Sequence, residues 1–269
     1  MNSIHYGEAF DLRQTRLFSS WSYIKNSFAG DFEALSVSGA LQEDGGSPVI
    51  WSTKQKFVLK VGVNGKCYAY KSYRKIRHIH KYMFRLSPCG FEARNYQLLA
   101  DAGIPMAKLA AAGDVRQMFL LKNMFLVTEF AENFRDGRDF QPGGCLHDDV
   151  VLKEEYIIRN LKLLARCHDA GLIHGGFTPA NLLYALRNTP DEYGNKLDLL
   201  WIDVATCRKI SLFCPATRIT GDFRHLFGFL GIGNEEIKRY LQIYDRSITR
   251  RRLPFEKLLK LCTAPGKKK

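Results

Sequence analysis

The sequence predicts an α+β fold with two lobes, a β-rich N-lobe followed by an α-rich C-lobe. Hairpin patterns dominate the chain from residue 48 to residue 130, one helical pattern interrupts them, and mainly helical patterns follow residue 150. A chain of 269 residues with 46% hydrophobic content can form two lobes that share a cleft. We therefore divide the chain into an N-terminal extension, an N-lobe, a C-lobe and a basic tail, at residues 1–47, 48–130, 131–262 and 263–269.

The first part of the N-lobe is predicted from its turn chemistry. Residues 1–47 are weakly periodic, and we expect one strand there. Residues 56–63 are rich in β-forming residues, and Asn64-Gly65 favours a two-residue hairpin turn. Residues 67–73 alternate and would close that hairpin.

A helix and a second hairpin complete the N-lobe. Residues 91–102 predict a helix that ends at Gly103, and Pro105 follows at once. The second hairpin fits residues 115–130, with its turn near Lys122-Asn123. The lobes would then meet in the connector at residues 129–140.

The C-lobe begins with a clear amphipathic helix at residues 152–170. Its apolar residues lie at helical spacing, and Gly171 is the predicted C-cap. A loop at residues 174–181 precedes a short hairpin formed by residues 182–186 and 197–202, and helices follow residue 220.

Bulk composition limits the partners and the compartment. The net charge of +13 and the pI near 9.4 favour anionic partners, such as phosphorylated glycans, anionic membrane surfaces or nucleic acid. Seven dispersed cysteines without C-x-x-C spacing indicate reduced thiols in a cytosol-like compartment. We find no signal peptide and no apolar run of membrane-spanning length, so we expect a soluble, cytoplasmic protein with at most peripheral membrane contact.

The most informative motif is the loop after the first C-lobe helix. His174 and Asn181 stand seven residues apart, as in the kinase pattern H-x-D-x-x-x-x-N. In that pattern the Asp accepts the proton of the attacking hydroxyl and the Asn holds magnesium. The position of the Asp is Gly176 in this chain.

Three further residues occupy the places that phosphoryl transfer requires. Lys71 ends a strand in the manner of V-A-I-K, Glu92 opens the next helix and could pair with it, and Asp203 follows an apolar strand where D-F-G begins. Singly, each has an ordinary explanation: a solvated edge lysine, a helix-dipole glutamate or a turn-forming aspartate. Four such residues in the right order favour a kinase-like protein.

The chain resembles the lipopolysaccharide kinase family, the Kdo-kinase and heptose-kinase relatives of protein kinases. The marks are Tyr70-Lys71-Ser72-Tyr73-Arg74, Glu92-Ala93-Arg94 with Ala102-Gly103-Ile104-Pro105, residues 164–181, and Ile202-Asp203; together they cover about residues 50–245. The resemblance implies a protein-kinase-like fold that uses ATP and Mg²⁺ to phosphorylate a sugar hydroxyl of the lipopolysaccharide core. The glycolipid acceptor would be met at the inner face of the cytoplasmic membrane.

The resemblance also implies site roles. Lys71 would hold the ATP phosphates, Glu92 would orient Lys71, and Asn181 and Asp203 would bind magnesium. No G-x-G-x-x-G precedes the first hairpin, so we take Ser52, Thr53 and Lys54 as the turn over the phosphates. The adenine edge would be lined by Thr128, Glu129 and Phe130.

Two departures from the family pattern matter. Gly176 replaces the catalytic aspartate, and Asp203-Val204-Ala205 lacks the glycine of D-F-G. General-base help is worth about 10²–10⁴-fold in rate, so a pseudokinase that binds nucleotide or a partner is the alternative function. Carboxylates that could substitute are Asp136, Asp139 and Asp169. Asp222 either caps a helix or braces the catalytic loop.

Basic residues are concentrated in the sequence directly after Lys71. The stretch at residues 71–85 carries five further cations and two histidines: Arg74, Lys75, Arg77, His78, His80, Lys81 and Arg85. It is either a solvated helix face or a grip for anionic core phosphates and lipid headgroups. Arg250-Arg251-Arg252 and Lys267-Lys268-Lys269 add to the field. We do not expect a nucleic-acid partner, because no zinc spacing or RNP pattern accompanies the charge.

Overall fold

The computed structural model describes residues 3–7, 20–42, 44–73, 82, 85–117, 119–211 and 215–264. The chain divides into two compact units. The first contains Met1–Leu98 and Ala107–Glu132 and is rich in strands. The second contains Leu99–Met106 and Asn133–Lys269 and is mainly helical.

The first unit is built on a seven-stranded sheet. Its strands are β1 (Ser3–Gly7), β2 (Trp21–Lys25), β3 (Val49–Ser52), β4 (Lys56–Val63), β5 (Lys66–Tyr73), β6 (Leu109–Gln117) and β7 (Leu120–Glu129), and its helices are α1 (Ala29–Val37) and the start of α2 (Pro88–Asp101). The strand order is β1-β2-β6-β7-β5-β4-β3. Only the β1–β2 pair is parallel.

The first predicted hairpin is confirmed. Asn64 and Gly65 have φ angles of 50° and 72°, as a tight turn with two left-handed residues requires. The Nδ2 amide of Asn64 also donates to the carboxylate of Asp31 in α1 at 2.6 Å, which ties the turn to the helix.

The turn of the second hairpin was predicted at the wrong place. β6 ends at Gln117 and β7 begins at Leu120, so Lys122 and Asn123 lie inside β7, where Asn123 pairs with Val115. Asn123 suggested a turn, but the buried residues Leu121 and Met124 hold the strand against the core on both sides of it.

One face of the sheet packs under α1. The cluster there joins aromatic and aliphatic side chains from five strands and the helix: Ile24, Phe28, Leu35, Phe57, Leu59, Val61, Tyr68, Tyr70, Ala110, Ala111 and Val127. Residues 1–47 therefore supply two strands and a helix to this unit, where the sequence indicated an extension with one strand.

The second unit combines short strands with four long helical segments. Its strands are β8 (Arg135–Asp136), β9 (Leu172–Ile173), β10 (Leu182–Leu186), β11 (Leu197–Trp201) and β12 (Arg208–Lys209), and its helices after the end of α2 are α3 (Val150–Asp169), α4 (Ala216–Leu230), α5 (Asn234–Ser247) and α6 (Phe255–Thr263). β10 lies between β11 and β8, and β12 pairs with β9. The predicted α3 and the β10–β11 hairpin are both present, and Gly171 ends the helix with φ 75°.

Two further observations concern membrane-spanning helices and cysteines. No helix in the described part of the chain is long and apolar enough to cross a membrane. The described cysteines at 67, 89, 145, 167, 207 and 262 are free thiols.

Candidate functional site

Lys71 and Glu92 form a buried ion pair in the first unit. The Nζ ammonium of Lys71 donates to Oε1 and Oε2 of Glu92 at 2.9 and 2.8 Å. Lys71 is 8% exposed and Glu92 1%. Burying the pair costs the desolvation free energy of both charges. Because Glu92 accepts from Nζ with both carboxylate oxygens, the ammonium group of Lys71 is fixed at one point of the sheet.

Local sequence places both partners. In β5, Tyr70 faces the core under α1, and the strand alternation turns Lys71 to the opposite face. The α2 helix begins directly after Ser87, which caps it: the N–H of Gly90 donates to the Ser87 hydroxyl at 3.1 Å. A Cβ at Gly90 would lie 2.6 Å from the side chain of Leu86, so glycine allows a close approach at the helix start.

The candidate phosphate turn is the β3–β4 connection. The N–H of Thr53 donates to the carbonyl of Lys56 at 2.8 Å, and its hydroxyl accepts from the N–H groups of Gln55 and Lys56, each at 3.2 Å. Ser52, Thr53 and Lys54 are exposed. The turn is held by the Thr53 side chain rather than by glycine conformations.

The candidate adenine edge is the end of β7. The N–H of Glu129 donates to Lys108 O, and the N–H of Phe130 donates to Cys67 O, both at 2.9 Å. Thr128 is buried, and the Phe130 ring lies 4.7 Å from Lys60 Nζ. A backbone donor to a purine base here would have to come from a residue other than Glu129 or Phe130.

Asp222 braces the predicted catalytic loop in the second unit. Its fully buried carboxylate accepts from the N–H of His174 at 3.0 Å and from the N–H of Gly175 at 2.7 Å. Asp222 lies inside α4, which starts at Ala216, so it is not a helix cap. Of the two roles left open by the sequence, the structure shows the brace.

His174 is a packing residue of the loop. Its fully buried ring stands edge-on to Phe177 and Trp201, with centroids 5.5 and 5.3 Å away. The Nδ1 atom accepts from the N–H of Gly176 at 3.3 Å. Burial lowers the pKa of His174, so the neutral imidazole is favoured.

A second histidine extends the brace. His168, fully buried at the end of α3, has Nδ1 2.7 Å from the hydroxyl of Tyr244 and Nε2 3.6 Å from the carboxylate of Asp222. Sequence reasoning assigned no role to His168 or Tyr244, because their proximity depends on the packing of α3 against α4 and α5.

Gly176 lies against Thr206. The Thr206 hydroxyl donates to the carbonyl of His174 at 3.1 Å. A Cβ built on Gly176 would come 2.9 Å from the hydroxyl oxygen of Thr206. The backbone of Gly176 does not have a positive φ angle, so the constraint on a side chain here comes from the neighbour. The sequence carried no signal for Thr206.

The two predicted metal ligands lie at the ends of two adjacent strands: Asn181 directly precedes β10, and Asp203 follows β11. The Nδ2 amide of Asn181 donates to the carbonyl of Gly176 at 2.9 Å, and the carbonyl of Asn181 accepts from the N–H of Ile202 at 2.9 Å, which places Asp203 next to it. Asp203 adopts a left-handed conformation, with φ 50° and ψ 59°. An amide oxygen and a carboxylate are the oxygen donors that Mg²⁺ prefers, so the residues fit this ion.

The Asn181–Asp203 pair does not by itself complete the coordination shell of a metal ion. No group of three or more His, Cys, Asp and Glu that could hold a metal occurs in the described part of the chain. Mg²⁺ commonly takes one or two carboxylates and completes its shell with phosphates and water, so two protein ligands suffice.

The carboxylates considered as substitute bases are each engaged elsewhere. Asp136 pairs with Arg138 at 2.7 Å, and Asp139 pairs with Arg135 at 2.8 Å. Asp169 accepts from the N–H groups of Thr249 and Arg250. The guanidinium of Arg138 stabilises the carboxylate of Asp136 and lowers its pKa.

The site residues thus form two sets, one in each unit. Lys71 and Glu92 lie together in the first unit with the β3–β4 turn and the end of β7, and His174, Gly176, Asn181 and Asp203 lie together in the second. The basic residues 74–81 and 267–269 fall outside the described residues. Of the Arg250–Arg252 run, Arg251 pairs with Asp245 at 2.6 Å.

Comparison with known proteins gives a likeness of fold. Neither a protein-family profile nor a curated protein matches the chain. Among solved structures, one of WaaP in complex with acyl carrier protein matches with a TM-score of 0.64, over 89% of this chain and 92% of that chain, at 19% identity. The chain shares the fold of WaaP. This is consistent with the kinase-like fold expected from the sequence, with a β-rich sheet and helical parts.

Proposed function

We propose that this chain is a lipopolysaccharide-kinase-like phosphotransferase that uses ATP and Mg²⁺ to phosphorylate a sugar hydroxyl, of Kdo or heptose, in the lipopolysaccharide core. The observation that carries the proposal is the buried Lys71–Glu92 pair. The motif resemblance to the lipopolysaccharide kinase family and the fold likeness to WaaP support it.

In this proposal Lys71 binds phosphate oxygens of the nucleotide. Phosphoryl transfer depends mostly on positioning and charge neutralisation, so a fixed ammonium is more useful than a mobile one. Glu92 holds that ammonium in place through both carboxylate oxygens. The turn at Ser52, Thr53 and Lys54 would lie over the phosphates, and Thr128, Glu129 and Phe130 would line the base.

The braced loop of the second unit would present the metal ligands. Asn181 is fixed by its hydrogen bond to Gly176, and the loop is fixed by Asp222. Asn181 and Asp203 would hold Mg²⁺, which when bound neutralises charge on the phosphates.

Gly176 sets the chemistry that this chain can supply. A glycine cannot accept a proton through a side chain, and the ring of His174 is fully buried, so it does not reach an acceptor hydroxyl. Loss of a general base removes about 10²–10⁴-fold in rate, whereas positioning and electrostatic stabilisation remain. We therefore expect slow transfer to a well-held acceptor hydroxyl.

The second candidate function is that of a pseudokinase, which would bind nucleotide or a partner without efficient transfer. It is favoured by one observation, the proximity of Thr206 to the position where an aspartate Cβ would stand. A loop packed for glycine suits a protein that does not depend on a base there.

We place the activity in the cytoplasm at the inner face of the cytoplasmic membrane, where a glycolipid acceptor would be presented. The net charge of +13 supports contact with an anionic surface or a phosphorylated glycan. No nucleic-acid partner is proposed.

The two candidate functions are separated by measuring binding and transfer together. Thermal unfolding with ATP, with and without Mg²⁺, reports nucleotide binding, because a ligand that binds only the folded state stabilises it by mass action. Radiolabelled phosphate transfer to Kdo- and heptose-containing lipid acceptors reports catalysis. Binding with transfer supports the kinase, binding without transfer supports the pseudokinase, and the absence of both contradicts the nucleotide site.

Asp203→Asn is the sharper control for transfer. It keeps the size of the side chain while removing the one negative charge of the proposed Asn181–Asp203 ligand pair. We expect this variant to lose both transfer and the Mg²⁺-dependent part of the thermal stabilisation. If Asp203→Asn transferred phosphate at the wild-type rate, the proposed role of Asp203 as a Mg²⁺ ligand would be contradicted.

A further inference from the structure

The β6–β7 hairpin exposes apolar side chains at its tip. Phe119 is 51% exposed and Val115 43%, although both lie in a unit with a well-packed core. Phe119 also has φ 67°, a left-handed conformation that is rare for a non-glycine residue. The backbone therefore holds an aromatic ring at the outer end of the hairpin at a conformational cost.

Arg116 fastens a neighbouring segment to this tip. Its guanidinium is buried, with Nε 3.1 Å from Asp114 Oδ1, and it donates to the carbonyls of Tyr82 and Arg85 at 2.7 and 3.1 Å. The side chain of Asp114 is also buried, so its negative charge is paired with Arg116 and is not exposed at the tip. The chain at residues 82 and 85 is thereby held beside the strand that leads to Phe119.

Two exposed cations lie on the segments that flank the tip. Arg85 is exposed at the fastened segment, and Lys122 is exposed on β7, next to Asn123, which pairs with Val115. On β6 and β7 the acids are the buried Asp114 and Glu129 at the far end of β7. The sequence from 74 to 85 contains five Lys or Arg and no Asp or Glu.

We propose that Val115, Phe119, Lys122 and Arg85, here called the hairpin-tip surface, bind an anionic lipid membrane. Phe119 and Val115 would enter the boundary between headgroups and acyl chains, and Lys122 and Arg85 would contact lipid phosphates. Peripheral membrane segments combine apolar or aromatic side chains with Lys and Arg in this way. The inference rests on the membrane location in the proposed function and adds the surface that makes the contact. None of these residues belongs to the proposed catalytic machinery, so this surface can fail its test while phosphoryl transfer stands.

Vesicle co-sedimentation of the full chain tests the proposal. We expect binding to phosphatidylglycerol-containing vesicles, little binding to pure phosphatidylcholine vesicles, and weaker binding as salt rises. Phe119→Ser should weaken binding about tenfold, since the ring would lose its partial burial in lipid. The matched control is Phe229→Ser, because Phe229 is equally exposed, at 51%, but lies on α4 in the other unit.

A charge reversal tests the second half of the surface. Lys122→Glu should weaken binding to anionic vesicles and leave binding to neutral vesicles unchanged, with the thermal unfolding temperature retained. Equal vesicle binding by wild type and Phe119→Ser would overturn the proposal. Binding of acyl carrier protein that depends on Phe119, without any binding of vesicles, would also overturn it, because the surface would then be a protein interface. Loss of vesicle binding in inorganic phosphate at constant ionic strength would overturn it as well, in favour of a phosphate site.

Discussion

The hydroxyl oxygen of Thr206 lies against the position that a Cβ at Gly176 would take. It donates to the carbonyl of His174, and the Cβ of a residue at 176 would approach it to 2.9 Å. Real Cβ atoms almost never come so close to another heavy atom, so a larger residue at 176 requires Thr206 to move. The glycine and the threonine are therefore packed as a pair, and the sequence departure at 176 is accommodated by the surrounding loop.

The first prediction concerns restoring the base. Gly176→Asp should raise phosphate transfer only modestly, because the new carboxylate must displace the Thr206 hydroxyl. Gly176→Asp combined with Thr206→Ala should raise it by about 10²-fold or more, the lower range of general-base help. Transfer to a Kdo or heptose acceptor is the readout, and Thr206→Ala alone is the control. A double variant no faster than wild type would mean that the missing base does not limit the reaction.

The second prediction separates stability from function at the buried pair. Lys71→Met leaves the Glu92 carboxylate buried without its cation and should lower the free energy of unfolding by about 3 kcal/mol in urea denaturation. Lys71→Met combined with Glu92→Leu should recover most of that loss, because no buried charge remains. Both should abolish transfer.

An exposed pair provides the control for this experiment. Lys108 and Glu129 are 3.5 Å apart with side chains 71% and 48% exposed. Lys108→Met should change stability by less than about 1 kcal/mol. A double variant at Lys71 and Glu92 that transfers phosphate like wild type would contradict the assigned role of the pair.

The third prediction concerns the brace at Asp222. Asp222→Asn replaces one accepting oxygen by an NH₂ group that faces a backbone N–H, so the free energy of unfolding should fall by about 2 kcal/mol or more. Asp198→Asn is the matched control, since Asp198 pairs with Arg187 on the exposed face of the β10–β11 hairpin. Amide hydrogen exchange at His174 and Gly175 should rise in Asp222→Asn alone. Unchanged protection at these two amides would show that the loop is held by other contacts.

The fourth prediction is a pH dependence of stability. Burial lowers the pKa of His174 below the ordinary value of about 6.5. The unfolded chain then binds more protons than the folded chain between the two pKa values, so stability should fall as the pH drops below about 6.5. His174→Gln should flatten this slope, and His225→Gln, at an exposed position on α4, should not. Equal slopes in all three proteins would contradict a titration at His174.

Short-range signals made much of this fold predictable. Asn64-Gly65 specified a hairpin because both residues accept positive φ angles, and the apolar spacing in α3 specified a helix that ends at Gly171. The pairing of Lys71 with Glu92 was expected from their positions on a strand and the next helix, and it is present. The roles of these residues in catalysis stay predictions.

Long-range packing accounts for what the sequence could not predict. Asn123 indicated a turn, yet the burial of Leu121 and Met124 extends the strand through it. Thr206, His168 and Tyr244 acquire their contacts only when distant segments meet, so no local pattern marks them. Strand β2 and helix α1 were missed for the same reason, since the weak periodicity of residues 1–47 gives no local sign that Ile24, Phe28 and Leu35 cover the sheet.

That cover has a practical consequence for anyone who trims the chain. A recombinant fragment cut to start at residue 48, where kinase-like motifs begin, would lack Ile24, Phe28 and Leu35 and would leave Phe57, Leu59 and Tyr68 facing water. It would also lose Asp31, which accepts from Tyr68 and Asn64 at 2.8 and 2.6 Å. Such a fragment should aggregate into inclusion bodies. The absence of phosphate transfer by it would therefore give no information about the roles of Lys71 or Gly176.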